Sequence, residues 1–218
     1  MRSFLQYAER KIEGWGFNRD PTESSVFERD CEYFLQSIEE RSSDWPDGID
    51  KGMVVVGLVL KDSFNDKPET WPLCMRGDLF PDKVVNAELN SHPWRLAPDD
   101  FPSALDALER YGVPWVEHWS DVRNIIRYYE TALSYGVRLA DEGYRQAPMH
   151  LRTRSLFSRV KPRKPPGFHY YLSVLYFKLN DIPSALEHAQ AYRKIHREEH
   201  DIAEWDRRIQ LITRRGSA

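Results

Sequence analysis

The sequence predicts an α+β protein: a small antiparallel sheet of three to four strands packed with helices, followed by a C-terminal helical hairpin and one further helix. Three observations carry that expectation. GMVVVGLVLKD (52–62) is a continuous apolar, β-branched run, the pattern of a strand covered on both faces. SSVFERD (24–30) and EYFLQSIEER (32–41) each alternate in part, as two strands of a hairpin do. After residue 98 the apolar spacing changes from about two to about 3.6 residues, which marks helices. Strands in one stretch and helices in another predict layered α+β packing.

Taken in order, residues 3–13 read as an amphipathic helix with Phe4, Tyr7, Ala8 and Ile12 on its apolar face and Gly14 and Gly16 at its end. The two strands of 24–41 follow, then the central strand of 52–62. VVNAELN (84–90) reads as a weaker strand with Val85, Ala87 and Leu89 on one side. In DDFPSALDALERYG, Phe101, Ala104, Leu105 and Leu108 line a helical face and Gly112 is placed to end it. Pro114 biases Val113 toward extended backbone, so YGVPWVEHW (111–119) is expected to be a corner between two helices. Ser120 is then the N-cap of a helix whose stripe is Val122, Ile125, Ile126, Tyr129 and Leu133, closed by Gly136.

The segment 151–167 reads as a linker with six basic residues between 152 and 164 and no acid among them. Beyond it, Phe168, Tyr171, Leu172, Leu175, Tyr176 and Leu179 form one helical stripe. Asp181 is placed to cap the next helix, and Asp201 with Glu204 has the spacing of a capping box for the last. This gives two expected regions: an α+β body over 1–150, and a basic linker with C-terminal helices over 151–218, packed on the body. The hairpin 168–195 is similar to a tetratricopeptide unit at Tyr176, Asn180-Asp181 and Ala185. Ala189 and Tyr192 stand where that pattern has a large and a small residue respectively.

Charge is unevenly distributed. Residues 1–150 carry 17 Lys+Arg against 27 Asp+Glu, whereas 151–218 carry 14 against 7. An acidic body joined to a basic tail points to charged partners or to contact between the two parts. Two separated cysteines, Cys31 and Cys74, fit a reduced compartment better than a disulfide scaffold. MRSFLQYAERKIEGW is charged throughout and lacks the apolar core of a secretory signal, and no apolar run has the length of a membrane span. A cytoplasmic protein with no membrane partner is therefore expected.

Motifs that would carry chemistry are weak. HREEH (196–200) has the H-x-x-E-H order, with His196 and His200 as zinc ligands and Glu199 as base, but only 18 residues remain to supply a third ligand. The stretch also reads as the charged end of a helix. RTRSLFSRVKPRK could hold phosphates with Phe157 stacking on a base, yet the acidic body would repel a polyanion. Asp99, Asp100, Asp106 and Glu109 gather around the first central helix without a positioned histidine, which suits a solvated face or a contact surface for a basic partner. No phosphate loop, dinucleotide fingerprint or nucleophile elbow occurs. No catalytic residue, metal or cofactor is expected.

WGFNRD (15–20), VFERD (26–30), SHPWRL (91–96) and YGVPWVEHW together resemble a family of bacterial α+β proteins of unknown function that are often encoded beside polymorphic toxins. More narrowly, the chain is similar to immunity proteins that neutralise effectors of type VI secretion systems, over residues 3–135. The resemblance implies a non-enzymatic protein that blocks a cognate toxin by occupying it. An acidic body rich in Trp and Tyr would suit a toxin with a basic groove, such as a nuclease. Trp94, Asp99, Asp100, Asp106, Glu109, Trp115 and Trp119 are the expected partner contacts, with the exposure of Trp115 and Trp119 deciding their part. The alternative is a peptide-binding adaptor that uses the tetratricopeptide-like helices, and a third reading is a metal-dependent hydrolase built on His196, Glu199 and His200.

Overall fold

A computed structural model describes residues 3–43, 51–61, 74–86, 94–135, 167–195 and 199–217. The class is α+β, as expected, but the sheet has six strands rather than three or four. The elements run α1 (Phe4–Gly14), β1 (Asn18–Arg19), β2 (Val26–Asp30), β3 (Phe34–Ser43), β4 (Lys51–Leu60), β5 (Cys74–Phe80) and β6 (Lys83–Asn86). A 3-10 turn (Pro98–Asp100) then leads into α2 (Phe101–Ala107), a π-helical turn (Leu108–Gly112) and α3 (Val113–Ser120). The remaining helices are α4 (Val122–Tyr135), α5 (Gly167–Lys178), α6 (Ile182–Ile195) and α7 (Glu199–Gly216). The chain divides after Asp121 into two compact units. Helix α4, which the sequence places with the body, belongs to the second.

In the first unit the strands form an antiparallel meander in sequence order. Registers such as Phe27↔Ile38, Ile38↔Val56 and Val56↔Gly77 put Phe27, Ile38 and Val56 on one face, with Val54 and Leu58 two residues away and Phe34 four residues away along their strands. All are buried, and α1, α2 and α3 pack there. Helix α1 begins with a capping box between Ser3 and Gln6, and the Glu40 carboxylate accepts from the amides of Phe4 and Leu5 at 3.1 and 2.9 Å. Those amides have no partner inside the helix, and a carboxylate there also meets the positive end of its dipole. Leu5, not Tyr7, takes the fourth core position of α1; Tyr7 lies against Phe101 and stays 40% exposed.

β4 is central and buried from Val54 to Leu58, as its composition predicts. β5 goes unrecognised in the sequence because Arg76, Gly77 and Asp78 are poor strand formers; pairing on both sides with β4 and β6 overrides that preference. On β6 the core residue is Val84, opposite Leu79, while Val85 is only half-buried. Ala87 and Leu89 lie outside the described residues.

The expected corner at YGVPWVEHW is not a corner. Gly112 and Val113 are both right-handed helical, with φ/ψ of −69°/−55° and −62°/−48°. The chain passes from α2 into α3 through one wide turn. Proline has no amide hydrogen to donate to the preceding turn and its ring crowds the carbonyl four residues back, and a π-helical turn is a common way to relieve both. A Cβ on Gly112 would meet Leu108 Cδ1 at 2.5 Å and Val56 Cγ1 at 3.3 Å, so glycine lets this turn lie close against β4. The real break comes at Asp121, where ψ turns to 109°. Ser120 is therefore the last residue of α3, not the cap of α4, and its hydroxyl donates back to the Val116 carbonyl at 2.6 Å.

In the second unit, α4 buries the expected Val122, Ile125, Ile126, Tyr129 and Leu133, with Tyr128 and Ala132 added. Its expected closing residue, Gly136, lies outside the described residues, as does the linker up to residue 166. Helix α5 is buried nearly all round: Tyr170, Val174 and Phe177 join Phe168, Leu172 and Leu175, while Tyr171 and Tyr176 are half-buried. The α5–α6 turn places Asn180 at φ 60°, and Asp181 caps α6 through the Ser184 amide and hydroxyl, as expected. Ala185 and Ala189 are fully buried, and such small side chains permit close helix packing. α7 starts at Glu199, so Asp201 lies inside the helix rather than at a cap. Trp205 packs on Tyr170 and Tyr192, and the buried Arg208 stacks its guanidinium over Trp205 while pairing with Glu204 at 2.5 Å.

Candidate functional site

Three of the sequence motifs converge on one arginine. Arg29, from VFERD, lies over the Phe17 ring and donates to the Trp15 carbonyl at 2.8 Å, both from WGFNRD. It also donates to Gln36 Oε1 at 2.5 Å and pairs with Glu117 of YGVPWVEHW at 3.4 Å. Gln36, 1% exposed, passes the connection on by donating to Ser120 Oγ at 2.5 Å. Strand β2, the end of α1 and the end of α3 are thus joined by polar contacts. This cluster holds the unit together, and every member has a structural task.

Two of the residues expected to touch a partner are not on the surface. Trp115 and Trp119 are 1% and 0% exposed, so their rings are core rings and offer a partner nothing. His118 sets its ring edge-on to Trp119. Asp100 accepts from the Ala97 amide at 2.9 Å and closes the turn before α2. Asp106 and Glu109 are exposed but paired, with Arg110 and Lys11, both at 2.9 Å. Such surface pairs contribute little to stability. Asp99 is exposed and Trp94 half-buried. Of HREEH, His196 lies outside the described residues, and no metal-ligating group of three appears among those described.

What the structure assembles instead is a cleft of about 290 Å³ on the sheet face opposite the helices. Val26, Glu28, Leu35, Ser37, Glu39, Arg41, Val59 and Arg76 line it from β2 to β5, and Asp20, Glu23 and Ser25 from the β1–β2 loop. Glu39 is engaged on one side by Arg41 at 2.8 Å and by the Ser37 hydroxyl at 2.9 Å, with Arg76 at 3.9 Å. Asp20 receives the Thr22 side chain and amide, which hold its carboxyl below the usual range and keep it ionised. Burial, with Asp20, Glu39 and Glu23 nearby, pushes the Glu28 carboxyl above its usual range. The cleft also carries more carboxylates than guanidiniums in its lining.

The cleft is lined largely by charged and polar side chains and stands at the lower end of the size range of small-ligand sites. Its strand acids were legible only as alternation: Glu28 and Glu39, with Ser37 and Arg41, occupy the face that the apolar positions leave. Asp20 and Glu23 give no such signal, because a loop residue's position follows from the turn. No helix among the described residues is long and apolar enough to cross a membrane. Comparison with protein-family models, with characterised proteins and with solved structures finds no match.

Proposed function

We propose that the protein is an immunity protein, a non-enzymatic inhibitor that neutralises a cognate secreted toxin by protein–protein contact, seating a basic side chain of the toxin in the acidic cleft. The observation that carries this reading is Glu28, whose charge is disfavoured by burial and by Asp20, Glu39 and Glu23. An arriving guanidinium or ammonium would relieve that repulsion, so the charge that costs stability in the free protein favours the complex. A nuclease, which presents basic groups to its own substrate, is a partner of the right chemistry. The resemblance of the four motifs to toxin-associated immunity proteins supports the same reading.

The test is co-expression with the toxin encoded beside the gene. The native chain should protect the cell and co-purify with the toxin. Glu23→Lys with Glu28→Lys should abolish protection while the protein remains folded by circular dichroism. Full protection by that double variant would remove the cleft from the interface, and no protection by the native chain would remove the immunity reading. An adaptor working through α5 and α6 would be indifferent to the same charge reversal.

A further inference from the structure

On the α5–α6 hairpin, His169 and His188 face each other with their Nδ1 atoms 2.9 Å apart and their rings 5.1 Å between centroids. At that distance one Nδ1 must carry a proton and the other must offer a lone pair. The arrangement is backed from behind. Tyr176 stacks flat on His188, with 5° between the rings, and its hydroxyl donates to Glu130 of α4. Burial, followed by that hydrogen bond, pushes the Tyr176 phenol well up, so it stays neutral across the physiological range.

We propose that the His169–His188 contact is a proton-sensitive clasp that closes the α5–α6 hairpin near neutral pH and opens it in mild acid. The first proton added to the pair leaves the N–H···N bond in place, because it enters at a ring nitrogen facing away from the contact. The second has only the shared lone pair to occupy, and it sets two N–H groups and two positive charges against each other. The two sites therefore titrate as a pair.

Among the described residues, two carboxylates act on His188. Glu187 on α6 and Glu130 on α4 favour the charged form of His188, but burial outweighs them and pulls its pKa below the ordinary value. Helix α7 packs on the same hairpin through Trp205, where Asp206 pairs with Arg193, Arg208 with Glu204 and the Tyr170 ring, and Arg215 lies over Phe177. A histidine whose pKa is depressed by folding contributes stability above its unfolded value, about 6.5, and that stability is lost as pH falls through the lower folded value. The window is therefore below about pH 6.5.

The experiment compares the full-length protein with His188→Gln in the presence of EDTA, which restricts the readout to protons. Glutamine can still bond to His169 but takes up no proton. Between pH 7 and pH 5 the native melting temperature should fall by about 3 °C more than that of the variant. A second measurement needs no substitution: the ring resonances of His169 and His188 should titrate in two coupled steps. Amide exchange in 167–195 should accelerate at the lower step while β3 and β4 stay protected. Parallel melting curves, or independent titration with unchanged exchange, would overturn the proposal.

Discussion

Arg29 Nε donates to Gln36 Oε1 at 2.5 Å, and the other side of Gln36 donates to Ser120 Oγ, so the β2–β3 hairpin and the end of α3 share one side-chain relay. Three sequence motifs meet there, two from the start of the chain and one from its middle. Arg29→Met should leave the Gln36 amide oxygen and the Trp15 carbonyl short of a donor. Unsatisfied buried acceptors and a lost charge-assisted bond together predict destabilisation by about 2–3 kcal/mol. Urea unfolding followed by tryptophan fluorescence measures it, and a loss under about 0.5 kcal/mol, the range of an ordinary surface substitution, would show that the relay is not structural.

Trp115 fills the space over Gly77, where a Cβ would come within 3.4 Å of its ring and 2.3 Å of Val84 Cγ1. Trp115→Ala should cost about 3–5 kcal/mol through the cavity it leaves. Gly77→Val should be as damaging from the opposite direction, by overfilling the same contact. Melting temperatures of both variants check the pair. A mild effect from Trp115→Ala would mean the ring is not a core ring.

Pro114 lies beside the wide turn that joins α2 to α3. A proline in an ordinary helix interior costs about 3 kcal/mol, so Pro114→Ala would stabilise by that much if the turn relieved nothing. With the missing donor already accommodated by the π-helical turn, the change should stay within about 1 kcal/mol. Denaturant midpoints distinguish the two outcomes.

Glu28→Gln should act in opposite directions on stability and on binding. The folded protein raises this carboxyl above its unfolded value, so the ionised form is the disfavoured one. The penalty is complete above the folded pKa and disappears as pH falls through it. Glutamine removes the penalty, so the variant should melt higher than the native chain at pH 7, with the difference fading toward about pH 4. If the protein acts as the proposed inhibitor, the same substitution should weaken toxin binding, because the cleft loses a carboxylate that would face the toxin's basic side chain. A variant that melts lower at pH 7 would contradict the charge reading.

Where local pattern and tertiary packing agreed, the sequence was sufficient. The β4 run is apolar enough that only burial on both faces suits it, and the stripe of α4 leaves one way to turn the helix. Asp181 caps α6 because an aspartate before Ile182 finds free amides wherever that helix starts. Where a residue's neighbours came from far along the chain, pattern misled. Tyr7 has the spacing of a core residue, yet Leu5 has the neighbours. Pro114 is a helix breaker by local rule, yet the wide turn carries the helix through it.

The α+β class, the acidic body and the burial of β4 follow from the sequence alone, because each rests on spacing and composition. Only the tertiary structure decided that YGVPWVEHW is a helix with both tryptophans inward, and that Asp20, Glu23, Glu28 and Glu39 share one cleft. Only it decided that His169 and His188 face each other. Those outcomes depend on strand register and helix docking, which bring together side chains from well-separated parts of the chain and set their charges and their exposure.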